Sequence, residues 1–172
     1  MTDPRLPSTI SLIGMPGAGK STVGVILAKL TGLAFSDTDL AIQLREDATL
    51  QEIVDARGHM ALRQIEEEVL LAVDLEKAVV STGGSVVYSD AIMQRLREAG
   101  PVVYIQVDLP VLEARVAAAP RRGIASGAAQ TFADVFAERT PLYERYADLT
   151  VDGCAGSADT VAALILAAVT AR

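Results

Sequence analysis

Gly14-Met15-Pro16-Gly17-Ala18-Gly19-Lys20-Ser21 satisfies the phosphate-loop pattern G-x-x-x-x-G-K-[ST] and stands between two segments of different periodicity. Upstream, Thr9 to Ile13 runs apolar, as a buried parallel strand does. Downstream, Lys20 to Leu30 repeats Val23, Ile26, Leu27 and Leu30 at helical spacing. Strand, glycine turn and helix therefore follow in the order that a nucleoside triphosphate site needs. Gly14, Gly17 and Gly19 permit positive φ and close backbone approach. The N–H groups from there through Ala18, Lys20, Ser21 and Thr22 can then point at phosphate oxygens beside the positive end of the helix. Lys20 adds a point charge for the β- and γ-phosphates, and Ser21 offers a hydroxyl to Mg²⁺.

The remaining composition narrows the class. With 172 residues and 51% hydrophobic content, the chain suits one globular domain over residues 1–172 with a sizeable core. A net charge of -7 argues against a nucleic-acid surface, which is held mainly by clustered Lys and Arg. Cys154 is the only cysteine, so no internal disulfide is expected, and no cysteine–histidine metal spacing occurs. The N-terminal residues carry no basic-then-apolar leader, and no apolar run approaches the roughly 18 residues of a membrane span. A cytoplasmic monomer, bound to neither membrane nor nucleic acid, is expected.

Beyond the loop, strand and helix patterns alternate. Leu33 to Ser36, Ala78 to Ser81, Pro101 to Val107 and Leu149 to Val151 read as further strands. Leu50 to Val54, Ala61 to Asp74 and Ser89 to Glu98 read as helices. Five short strands separated by helices predict an α/β fold, a mostly parallel sheet covered on both faces, with ligands at the carboxyl ends of the strands. Ala117 to Gln130, rich in small residues with Arg121 and Arg122 as its only charges, reads as a mobile lid.

Several residues carry candidate chemistry. Asp37 and Asp39 at i and i+2 project to one side in extended geometry and can divide labour, one near Mg²⁺ and one accepting a hydroxyl proton. Helix capping is the alternative reading of the pair. Arg63 and Glu66, three apart, share a helix face and can pair, orienting a guanidinium fork for a carboxylate. Ser81-Thr82-Gly83-Gly84-Ser85 follows a buried strand and permits close approach to a ligand. Arg139-Thr140-Pro141-Leu142-Tyr143 places an arginine just before a helix opened by proline.

In this order the pieces resemble the shikimate kinase family along nearly the whole chain. The resemblance rests on the phosphate loop, Asp37-Thr38-Asp39, Leu62-Arg63 with Glu66, Gly83-Gly84, Arg122 in the lid and Arg139-x-Pro-x-Tyr143. It implies a three-layer phosphate-loop fold with a five-stranded parallel sheet in the order 2-3-1-4-5, substrate-binding helices at about 37–73 and a lid at about 117–130. It also implies transfer of phosphate from ATP, with Mg²⁺, to the 3-hydroxyl of shikimate, a step of aromatic amino-acid biosynthesis. In those terms Asp37 supports Mg²⁺ through water, and Asp39 binds the acceptor hydroxyls and acts as base. Arg63 and Arg139 clamp the carboxylate, with Gly83 and Gly84 beside them; Arg122 meets the transferring phosphate and Arg115 lies against adenine. Three departures touch the acceptor pocket: Ser85 in place of a third glycine, Arg122-Gly123-Ile124-Ala125 in the lid, and Val54 and Leu62 where the family has phenylalanine walls. Another small hydroxy acid, such as homoserine or gluconate, stays open as acceptor. A nucleotide-dependent switch without an acceptor would need only the loop and Asp37; Asp39, Arg63 and Arg139 disfavour it.

Overall fold

The computed structural model describes residues 6–120, 123, 124, 127 and 129–171. Its central strand β1, Ile10–Ile13, is buried along its whole length, which is why its side chains do not alternate in polarity. β3 (Ala78–Ser81) and β4 (Val102–Gln106) flank it, and β2 (Ala34–Asp37) and β5 (Leu149–Asp152) form the edges. Every pairing is parallel and the order is 2-3-1-4-5, as the resemblance implied. The edge strands are only partly buried, so β2 gave the weaker sequence signal.

Helices α1 (Lys20–Thr31), α5 (Asp90–Ala99), α6 (Leu109–Ala118), α7 (Phe132–Tyr146) and α8 (Ala158–Thr170) join or follow the strands. The main core runs from Ile10, Leu12 and Ile13 through Val79, Val80 and Val102 to Ile165 and Val169. Within it the rings of Tyr104 and Tyr143 stack, their centroids 5.1 Å apart. One polar atom interrupts this core. Ser11 Oγ, wholly buried between Val80 and Val102, has no hydrogen-bond partner among the described residues.

Between β2 and β3 the chain inserts α2 (Thr38–Glu46), α3 (Leu50–Arg57) and α4 (His59–Ala72). These pack on one another around a second, smaller cluster of Ile42, Ile53, Leu62, Ile65 and Val69. Thr49 and Glu52 close a capping box at the start of α3. The far end of α4 is tied down by Arg95, which donates to the carbonyl oxygens of Leu70 and, at 2.7 Å, of Val73.

Two local expectations fail. The extended Asp37–Asp39 pair does not form, because α2 begins at Thr38; Asp37 is its N-cap, accepting from Asp39 N at 3.0 Å and Leu40 N at 3.3 Å. The capping reading of that pair thus holds for Asp37. Nor does Pro141 open a helix. A capping box of Thr131 and Asp134 starts α7 at Phe132, which leaves Pro141 inside it and puts Arg139 and Tyr143 on one buried face. The missing N–H of Pro141 costs α7 one internal hydrogen bond. Tertiary packing of Arg139 and Tyr143 holds the helix through it.

Candidate active site

The phosphate loop takes the backbone that its glycines allow. Gly17 and Gly19 lie at φ 84° and 92°, and Gly19 is the N-cap of α1 with no side chain closing the helix end. The first-turn N–H groups of α1 are therefore left to an anion. Ala18 is buried and holds the turn through its N–H to Met15 O at 3.1 Å. Lys20 is buried as well, folded back so that Nζ donates to the carbonyls of Gly14 (2.8 Å) and Met15 (3.0 Å). Burial pulls its pKa down to about 8, with Asp39 acting in the opposite direction.

Next to the loop, Ser21 Oγ lies 3.3 Å from Ser81 Oγ at the end of β3, and Ser81 pairs in register with Asp37. The sequence places Ser81 in the ligand-approaching segment Ser81–Ser85 without giving it a role of its own. Its signal was its place at the carboxyl end of a strand adjacent to β1.

A single cavity of about 840 Å³ joins the loop to the inserted helices. Gly17, Gly19, Lys20, Ser21 and Thr22 line one end. Asp39, Glu66, Gly83, Gly84 and Arg139 line the other, with Val54, Leu62, Ile42 and Leu50 as the apolar wall. Val54 and Leu62 therefore both line the cavity. Pro120, Gly123, Ile124 and Gln130 close part of the cavity from the segment after α6, and Gly123 sits so close to the Leu50 carbonyl that a side chain there would overlap it. Arg115 lies at the loop end and donates through Nη1 to Gly17 O at 3.2 Å. Gly14, Asp37 and Arg63 are not part of the cavity wall. Arg121 and Arg122 lie outside the described residues.

The acceptor end is drawn together by side chains from four elements. Gly83 must lack a Cβ, since one would overlap Glu66 Oε1 and come within 3.0 Å of Asp39 Oδ1. Its N–H donates to Thr38 Oγ1 at 3.1 Å. Two carboxylates from α2 and α4 thus face one backbone position. Glu66 is buried and takes a short hydrogen bond from Ser85 Oγ, the residue that replaces the third glycine. Burial pushes its pKa up to about 7, against the pull of the Ser85 bond. Arg139 is 1% exposed, and Tyr143 beside it donates to Gly84 O at 2.6 Å.

From its place on α4, Arg63 lays its guanidinium over the ring of Tyr88, 3.9 Å from the centroid. Tyr88 ends a 3₁₀ turn, Val86–Tyr88, after the glycine pair. Arg139 Nε donates to the Tyr88 hydroxyl at 3.3 Å. The sequence reading missed Tyr88, because no spacing rule connects a residue after β3 to arginines on α4 and α7.

A phosphate loop at the carboxyl edge of a parallel 2-3-1-4-5 sheet, sharing one cavity with a carboxylate pair and a buried arginine, defines a small-molecule kinase. Comparison with known proteins narrows this. The shikimate kinase family model matches residues 16–170. Shikimate kinase 2 of Yersinia pestis (strain Pestoides F) is 36% identical over 153 residues, 86% of this chain and 88% of that protein. The shikimate kinase of Mycobacterium avium (strain 104) is 40% identical over 145 residues, 82% of this chain and 81% of that one. Among solved structures, shikimate kinase from Acinetobacter baumannii in complex with shikimate superposes with a TM-score of 0.83 at 29% identity, covering 96% of this chain and 94% of that chain. The chain belongs to the shikimate kinase family.

Proposed function

We propose that this protein transfers the γ-phosphoryl group of ATP to the 3-hydroxyl of shikimate. The observation that supports it most directly is the single cavity, with phosphate-binding groups at one end and, at the other, Asp39 and the buried Arg139 arranged around Gly83 and Gly84. A nucleotide switch would have no use for that second end.

On this reading the loop amides from Gly14 to Thr22 and Lys20 hold the β- and γ-phosphates, Lys20 exchanging its bonds to Gly14 and Met15 for phosphate oxygens. Arg115, already resting on the loop at Gly17, flanks the adenine. Asp39 binds the acceptor hydroxyl and takes its proton. Arg139 and Arg63 hold the acceptor carboxylate, fixing it for in-line attack. Arg122, on the segment at about 117–130 that acts as the lid, meets the transferring phosphoryl group.

The donor set beside the loop fits Mg²⁺. The hydroxyls of Ser21 and Ser81 and the carboxylate of Asp37 are hard oxygen donors gathered at neighbouring strand and helix ends. Ser21 would hold the ion directly and Asp37 through water, its Oδ1 being engaged at the cap of α2. When bound, Mg²⁺ neutralises charge on the phosphoryl oxygens. All these groups come from one chain, which favours a monomer, and no helix among the described residues is long and apolar enough to cross a membrane; we place the protein in the cytoplasm.

The test is ADP release from MgATP in the presence of shikimate, gluconate, homoserine or no acceptor, with the product identified by phosphorus NMR. Shikimate-dependent ADP and a shikimate 3-phosphate resonance are expected. Turnover with another acid but none with shikimate, or ADP release indifferent to any acceptor, would overturn the assignment.

A further inference from the structure

Two cationic side chains from separate helices meet on a single aromatic residue that the sequence pattern did not mark. Arg63 Cζ lies 3.9 Å from the centroid of the Tyr88 ring, and Arg139 Cζ lies 5.3 Å from it. Both distances fall within cation–π range. Arg139 adds a hydrogen bond from Nε to the Tyr88 hydroxyl at 3.3 Å. The phenol has one proton to give and lone pairs to offer. Its hydroxyl faces Glu138, whose carboxyl is held below its usual range by Tyr88 and by Gln130, so the proton is directed to Glu138 and a lone pair is left for Arg139. The ring face thus meets both guanidinium groups, Arg63 the more closely, and the hydroxyl holds Arg139 as well; the 3₁₀ turn that carries Tyr88 is set by Val86 and Val87, both buried in the main core.

We propose that Tyr88 is a positioning residue that fixes the spacing and tilt of Arg63 and Arg139, and so selects acceptors bearing a carboxylate. The inference rests on the proposed role of those two arginines as the carboxylate clamp. Two guanidinium groups repel each other, and each has several rotamers. A rigid aromatic in contact with both, its π-face under Arg63 and its oxygen bound to Arg139, joins the Glu138 carboxylate in offsetting the repulsion and removes the freedom before the acceptor arrives. Bidentate recognition depends on guanidinium orientation as much as on charge, so the effect falls on acceptor binding and leaves ATP binding alone.

Steady-state kinetics of Tyr88→Phe and Tyr88→Leu, with shikimate and with its methyl ester as acceptors, test this. Tyr88→Phe keeps the ring under Arg63 and loses the bond to Arg139. Its KM for shikimate should rise by about 2- to 5-fold, the scale of one modest hydrogen bond. Tyr88→Leu loses both contacts, and the rise should reach about 3- to 30-fold, the span of a cation–π contact from exposed to desolvated. In both variants kcat and the KM for ATP should stay within about 2-fold of the parent. With the methyl ester, which lacks the charged carboxylate, parent and variants should converge.

A shikimate KM unchanged in both variants overturns the proposal, as does an equal penalty on the methyl ester or a parallel rise in the KM for ATP. If Tyr88→Leu does not fold, the volume-conserving Tyr88→Phe decides by the same comparison of acid and ester. Arg63→Lys and Arg139→Lys separate the two layers of the reading. If they raise the shikimate KM while the Tyr88 variants do not, the clamp stands and Tyr88 has no part in it. If they leave it unchanged, the clamp itself falls, and the positioning role with it.

Discussion

Around the phosphate loop the cavity is faced by backbone amides and Lys20, carried on a turn wedged between β1 and α1 and anchored in a core that spans the whole sheet. Across the cavity the acceptor end is faced by side chains from α2, α3, α4 and α7, and α2–α4 share only the small cluster of Ile42, Ile53, Leu62, Ile65 and Val69. The first half is specified by the local path of one segment and tolerates little change. In the second half, function depends on contacts between elements distant in sequence, such as Ser85 with Glu66 and Tyr88 with Arg63 and Arg139. On the proposed reading, phosphate chemistry thus sits on a turn anchored in the large core, and acceptor choice on helices gathered around the small one.

Replacing Lys20 by Ala should have the largest effect. Turnover should fall by about 10²–10³-fold or more, the usual loss when a preorganised charge leaves the transition state, while thermal unfolding holds or rises because burial already disfavours the ammonium. A coupled ADP assay beside a melting curve checks both; retained activity would remove the phosphate half from the mechanism.

On the acceptor side, Asp39→Asn should lower kcat by roughly 10²–10⁴-fold, the scale of general-base loss. Asp37→Asn keeps the cap of α2, since Asn caps about as well as Asp, and should instead raise the Mg²⁺ concentration needed for half-maximal rate. Identical Mg²⁺ titrations of the two variants would contradict the division between the halves.

The two cores offer a direct contrast in stability. Leu27→Ala, in the main core, should cost about 2–5 kcal/mol of global stability. Ile53→Ala removes similar bulk from the small cluster, and its cost should appear mainly as faster amide exchange within α2–α4 and a weaker acceptor KM, with less loss of melting temperature. Equal melting losses without selective exchange would mean that the halves unfold as one.

A smaller effect concerns pH. Glu66 binds its proton more tightly folded than unfolded, its pKa being raised by burial to about 7. Its contribution to stability is therefore full below its ordinary value of 4.5 and declines as pH rises through about 7. Glu66→Gln should flatten the melting temperature across that window relative to the parent, with the two curves diverging most above pH 7. Parallel curves would show that Glu66 remains ionised throughout.

These contrasts explain what could be read beforehand. The five strands and the loop follow from periodicity and from a motif that acts through its own backbone, whereas the strand order and the separate role of Asp39 come from the resemblance to the shikimate kinase family. Asp37 and Asp39 read as an extended pair, a geometry that fails because a four-residue edge strand passes into a helix at Thr38 without a break in polarity. Arg139 was found and its helix misread, since Pro141 is a stronger local signal than the capping box at Thr131 and Asp134, yet burial of Arg139 and Tyr143 decides the matter. Tyr88 leaves no local mark, and Ser81 only its place at the end of β3, in the segment that approaches a ligand. Their roles come from register and from a turn that only the packed core places.

The solitary hydroxyl of Ser11 has a practical consequence. A desolvated group without a partner costs about 1–3 kcal/mol, and none of the catalytic roles proposed above uses it. Ser11→Ala should therefore return part of that cost and raise the melting temperature by roughly 2–4 °C per kcal/mol recovered in a chain of this size; a fall, measured by scanning calorimetry, would mean that the central strand needs the serine for packing. Such a gain would be spare tolerance. Redesign of the acceptor wall at Val54 and Leu62 is bound to unsettle a cluster of five buried residues, and a hardened parent keeps more of those variants folded long enough to be screened.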